Sequence, residues 1–158
     1  MEAVRPLPSV YFARAVDLVD PTEVAVSSAR AREALAGFGL RLVDPVEHEA
    51  GAGLRGLTGG AHATAVVELD LALLRRSDAM LVDMTIPARN YIGCVAELVY
   101  AHLWRIPAVV YVGSTGYEER PWLRYHASHV CPSLDEAVAI LRDVLSGTAA
   151  WPAGRTPG

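Results

Sequence analysis

The chain has 158 residues, 52% of them hydrophobic and 20% charged, which suits one globular domain with its own core and argues against disorder. A formal charge of −4 offers no basic field to a nucleic-acid backbone, so a polymer partner is not expected. No apolar run approaches the ~20 residues of a membrane span, and two cysteines without CxxC spacing indicate neither a disulfide framework nor a zinc ribbon.

In chain order, the apolar run 9–13 reads as a buried strand after a Pro-rich start. Pro21 and Thr22 open a helix through Ala36, closed by Gly37 and Gly39. Residues 40–43 form a second strand, stopped by Asp44-Pro45. The segment 47–61, with five glycines between Gly51 and Gly60, reads as a long loop and hence as a functional lid or binding loop. Residues 62–76 read as helix, 79–84 as the third strand, 85–91 as a loop and about 93–105 as helix. Residues 107–112 are nearly all apolar, as a central parallel strand should be, and 113–116 form a turn. Val130 marks a short fifth strand. Ser133 caps a last helix, with Glu136 completing a capping box and Leu134, Val138, Leu141 and Leu145 on one face.

Strands alternating with helices imply right-handed crossovers and a parallel sheet covered on both faces. The expected fold is therefore α/β: a five-stranded, flavodoxin-like (Rossmann-type) three-layer sandwich over residues 1–146, followed by a flexible tail, 147–158. Such sheets bind ligands beyond the carboxyl ends of the strands, here 12–17, 83–91 and 113–117. The N-terminus lacks the apolar stretch of a signal peptide, so a reducing cytoplasm is the expected compartment.

Every one of the fourteen Lys+Arg residues is arginine. Lysine chemistry is thereby excluded: no Schiff base, no P-loop, no receiver-type phospho-acceptor site. His126 and His129 lack the companions of a metal site, and Ser114 lies outside any nucleophile-elbow pattern. Three carboxylates stand out instead. Glu97 interrupts a helix that is apolar almost all round, flanked by Gly93, Tyr100, Ala101 and Trp104; it is either a partner of the helix dipole or a group put to chemical use. Asp70 interrupts its own apolar stripe of Val66, Val67, Leu73 and Leu74, either as a structural acceptor or as a second acid at the crevice. Asp83 ends the third strand. Two acidic groups around one crevice suggest carboxylate chemistry at a sugar carbon.

Three segments resemble the nucleoside 2-deoxyribosyltransferase family, nucleotide N-glycosidase relatives included. Val10-Tyr11-Phe12-Ala13 is similar to its first strand. Asp70-Leu71, together with Ser77 through Asp83, resembles its Asp-bearing helix and third strand. Gly93-Cys94-Val95-Ala96-Glu97-Leu98-Val99-Tyr100-Ala101 resembles its Gly-x-x-x-Glu-Leu-Gly-Tyr-Ala helix. The resemblance implies a catalytic set in which Glu97 attacks the anomeric carbon, Asp70 orients the nucleobase or its proton, and Tyr11 holds Glu97. Phe12, Arg14, Asp83, Arg89, Asn90, Tyr91 and Gly93 would line the substrate site, and Arg14 or Arg89 could grip a phosphate. It further implies no metal and no cofactor, with a nucleoside or nucleotide and a nucleobase as small-molecule partners. A homodimer or higher homo-oligomer with shared sites is implied too, in which Ser128 or His129 of the 122–129 segment serves a neighbour.

Two departures stand out. Six residues before Glu97 the family often has an aspartate or a serine; here it is Tyr91, preceded by Asn90. The Gly-rich phosphate turn of some hydrolases is replaced by Arg14-Ala15-Val16-Asp17. The expected activity is deoxyribosyl transfer between bases, on an unphosphorylated deoxynucleoside. Hydrolysis of a nucleoside or its 5′-monophosphate, and a non-catalytic nucleoside-binding module, are the alternatives.

Overall fold

The apolar run after the Pro-rich start forms β1 (Ser9–Arg14), buried along its whole length because it has a strand on each side and helices above and below. The computed structural model describes residues 5–148. β2 (Arg41–Val43), β3 (Ala79–Asp83), β4 (Ala108–Tyr111) and β5 (His129–Cys131) complete one sheet in the order β2-β1-β3-β4-β5, every pair parallel. That is the flavodoxin-like order expected from the sequence. The order reverses between β1 and β3, which opens a crevice at their carboxyl ends.

Among the described residues six helices cover the sheet: α1 (Pro21–Ala36), α2 (Pro45–Gly51), α3 (Gly59–Arg75), α4 (Ile92–Leu103), α5 (Pro121–His126) and α6 (Leu134–Leu145). Side chains alternate across a strand, so β1 feeds two cores. Tyr11 and Ala13 pack with Leu73 and Leu74 of α3 and Leu98 and Ala101 of α4. Val10 and Phe12 pack on the other face with Ala31 and Leu35 of α1 and Val138 and Leu141 of α6. Local signals hold the helix ends. The Asp20 carboxylate accepts from Thr22 N at 2.7 Å with Pro21 at the first position of α1, and Ser133 Oγ accepts from Glu136 N at 3.3 Å.

The structure corrects the expectations in two regions. The long loop over 47–61 does not exist as such, because α2 takes residues 45–51 and α3 begins at Gly59. Asp44-Pro45 ends β2 but also starts a helix: Asp44 Oδ1 accepts from Val46 N at 3.0 Å and Pro45 takes the first helical position. Only 52–58 remains as a connection, where Gly53 and Gly56 hold left-handed backbone at φ 69° and 93°. Helix α5, and the 3-10 turn Tyr117–Glu119 before it, were not anticipated; Pro121 at the first position is their one local signal. Of the tail expected over 147–158, residues 149–158 lie outside the described residues. Among the described residues no helix is long and apolar enough to cross a membrane.

Candidate active site

The alternation of β1 aims Tyr11 at the α3 and α4 side, where its hydroxyl donates to Glu97 Oε1 at 2.6 Å. Tyr11 is wholly buried, and Glu97 sits in the second turn of α4. Burial lifts the Glu97 carboxyl to about 7; the bond from Tyr11 pulls it down, and the nearby charge of Glu49 pushes it up. Burial, with the charges of Glu97 and Asp70, drives the Tyr11 phenol far above its ordinary range. The phenol therefore stays protonated, a donor that fixes Oε1 of Glu97. Cys94, one turn earlier, has its thiol pushed up by burial and by Glu97's charge, and so stays a neutral core residue.

Asp70 reaches the same region from α3. Its Oδ1 is buried with no hydrogen-bond donor against it. Burial, then the charges of Glu49 and Glu97, raise its carboxyl to about 8. Glu49, from α2, is raised by burial too, against the lowering effects of a bond with Asp70 and the nearby His62. A bond between two carboxyls requires a proton, so Glu49 and Asp70 titrate as a pair. Sequence reasoning missed Glu49 and His62. Reading Asp44-Pro45 as a helix start would have placed Glu49 on a helix beside the crevice. Among the described residues no group of His, Cys, Asp and Glu is arranged to hold a metal ion.

The remaining candidates have other partners. Asp83 Oδ1 accepts from Thr85 N at 2.9 Å and from Thr85 Oγ1 at 2.7 Å, which shapes the turn after β3. Asn90 Oδ1 accepts from Ile92 N at 3.1 Å at the start of α4. The Tyr91 hydroxyl accepts from Ile86 N at 3.0 Å, its ring meets Tyr117 edge-on, and burial pushes its phenol up to about 12. Arg89 is half-buried in this loop and forms no ion pair among the described residues. Gly93 is exposed, and a Cβ there would meet nothing within 4 Å.

Phe12 and Arg14 face away from Glu97. Phe12 is wholly buried in the α1 and α6 core. Arg14 binds both oxygens of Asp44, at 3.0 and 2.9 Å, with its guanidinium 4.7 Å above the Phe12 ring. Its fork is occupied, so a phosphate would have to displace Asp44. Ser128 Oγ accepts from Ala108 N at 3.0 Å, and His129 pairs with Val109. Three strand spacings, roughly 14 Å, separate β5 from β1, the strand that carries Tyr11.

No family model matches the chain, and no curated protein matches it. Solved structures do. A 2-deoxyribosyltransferase from the psychrotolerant bacterium Bacillus psychrosaccharolyticus superimposes with a TM-score of 0.61 at 16% identity, covering 81% of this chain and 88% of that one. A conserved protein from Enterococcus faecalis V583 superimposes with a TM-score of 0.63 at 13% identity, covering 87% and 99%. The chain has the α/β three-layer fold of these proteins.

Proposed function

We propose that the chain transfers a 2-deoxyribosyl group between nucleobases through a glycosyl ester on Glu97. The Glu97 carboxylate attacks C1′, the C1′–N bond breaks, and the base leaves with the electron pair while Asp70 supplies a proton. A second base then attacks C1′, returns its proton to Asp70, and expels Glu97. Two displacements at one carbon are the logic of a retaining glycosidase. The observation that carries this reading is the 2.6 Å bond from the wholly buried Tyr11 to Glu97, which fixes one oxygen of a half-buried carboxylate. The name of the Bacillus neighbour supports it. The substrate is an unphosphorylated deoxynucleoside: the groups around Glu97 are acidic, and Arg14 is already engaged by Asp44. Ser128 or His129 of the 122–129 segment serves the site of a neighbouring copy.

Transfer needs Glu97 ionised and Asp70 protonated. With these groups at about 7 and about 8, the rate rises as pH passes 7 and falls beyond 8. Incubation with a panel of deoxynucleosides plus a free acceptor base tests the proposal. Exchange by the wild type that disappears in Glu97→Ala is the expected result; no exchange by the wild type, or full exchange by the variant, refutes it.

Hydrolysis is the second reading. The position six before Glu97 is Tyr91, whose hydroxyl is tied to Ile86 and leaves no carboxylate there to grip a sugar hydroxyl. Free sugar released at an undiminished rate without an acceptor would favour it. Ligand binding without turnover would instead favour a binding module.

A further inference from the structure

We infer that Glu49 is a positioning residue that holds the transferable proton on Asp70, so that the two carboxyls act as one acid toward the leaving nucleobase. The inference rests on the transfer reading above and adds to it a residue on a helix that the sequence hides.

Asp70 Oδ1 is shut away from solvent and has no donor among the described residues, an arrangement that is costly for an ionised carboxylate. Helix α2 packs on α3 and brings the carboxyl of Glu49 to that of Asp70, and a proton held between the two carboxyls satisfies both. The surrounding charges favour keeping it. Facing Asp70 are Glu49 from α2, Glu97 from α4 and the protonated Tyr11 from β1. Facing Glu49 are His62 from α3, Asp44 at the start of α2, and Asp17. Asp44 and Asp17 raise the Glu49 carboxyl and His62 lowers it, and the pair is best described as sharing a single proton with net charge −1.

The step balances. As Glu97 bonds to C1′ and the C1′–N bond breaks, the base nitrogen takes the electron pair and the pair's proton, leaving two carboxylates. Attack by the acceptor base releases a proton that returns to Asp70 and Glu49. The hydrogen-bond partner left on Asp70 sets the pH at which that proton is lost, which is the part Glu49 controls.

Glu49→Gln keeps a hydrogen-bonding group but removes the carboxyl. Two measurements decide. The first is turnover of a natural deoxynucleoside against a deoxyriboside with a nitrophenolate leaving group, which needs no protonation. The variant is expected to slow the natural substrate about tenfold more than the nitrophenyl one, and to move the alkaline limb of the pH profile toward lower pH. Glu49→Asp should restore part of the loss. The second, which needs no substrate, is a carbon NMR titration of the Asp70 carboxyl: its midpoint should fall in Glu49→Gln relative to wild type. Equal slowing of both substrates, or an unmoved Asp70 midpoint, overturns the inference. A wild type that turns over neither substrate overturns the transfer reading, and the NMR titration still decides whether the carboxyl pair exists.

Discussion

Replacing Tyr11 by Phe removes one hydroxyl from a wholly buried ring and leaves the packing almost unchanged. It also takes away the donor that holds Glu97 Oε1 at 2.6 Å. A hydrogen bond to a charged group contributes about 1.5–3 kcal/mol, equivalent to moving the Glu97 pKa upward by roughly one to two units. In the wild type, with Glu97 at about 7, half the molecules carry an ionised Glu97 carboxylate at pH 7. In Tyr11→Phe that share drops to roughly a tenth or a hundredth. The pH dependence of kcat/KM on a deoxynucleoside with excess acceptor base reads this directly. The acid limb should move to higher pH while the alkaline limb, set by Asp70, moves far less, so the bell narrows and its maximum falls. Thermal unfolding at pH 5 checks that the variant is folded. A variant whose acid limb stays in place, with a rate at pH 7 within about twofold of wild type, would refute the reasoning about the bond.

Other perturbations follow from the same geometry. Burial gives folded Glu97 a pKa of about 7 against the ordinary 4.5, so between those values the folded chain binds a proton that the unfolded chain lacks. Its contribution to stability is complete below the ordinary value and is lost as pH rises through about 7, at a cost of roughly 3 kcal/mol once ionised. Urea denaturation should therefore show Glu97→Gln gaining on wild type between pH 5 and pH 9; a constant gap contradicts this. Arg14→Ala leaves the Asp44 carboxylate buried without its partner and should cost about 3–5 kcal/mol in denaturant unfolding at pH 7. Burial alone would raise Asp44, but the two bonds from Arg14 hold it below its ordinary value, so this cost should shrink as pH falls into the acid range. A loss under about 1 kcal/mol would mean that the ion pair is not formed as described. Asp70→Asn should keep the fold and slow transfer from a natural base far more than from a nitrophenyl deoxyriboside, measured by base release.

Much of this was legible along the chain. Strands β1, β3 and β4 are short apolar runs, as strands buried on both faces must be, and their alternation with helices leads directly to a parallel sheet. Glu97 and Asp70 stood out because each interrupts an apolar helix face. What stayed hidden depends on contacts distant in sequence or on a misread local signal. Asp44-Pro45 carries both a strand end and a helix start, and taking only the first concealed α2 and Glu49 with it. Arg14 and Asp44 are thirty residues apart, and nothing local predicts that their side chains meet. The separation of Tyr11 from Phe12 and Arg14 follows from strand alternation alone, and the resemblance had placed all three in one site. Helix α5 is short and rich in aromatic and basic residues, so no periodic apolar face announced it.

The central claim is that Glu97 forms a covalent bond to the sugar. Intact-mass measurement after rapid quenching of the protein with a deoxynucleoside, without acceptor base, tests it most directly. A mass gain of one deoxyribosyl group that maps to the peptide carrying Glu97, is discharged by added base and is absent from Glu97→Ala is the predicted result. An adduct on another residue, or base exchange at the wild-type rate by Glu97→Ala, would contradict the account.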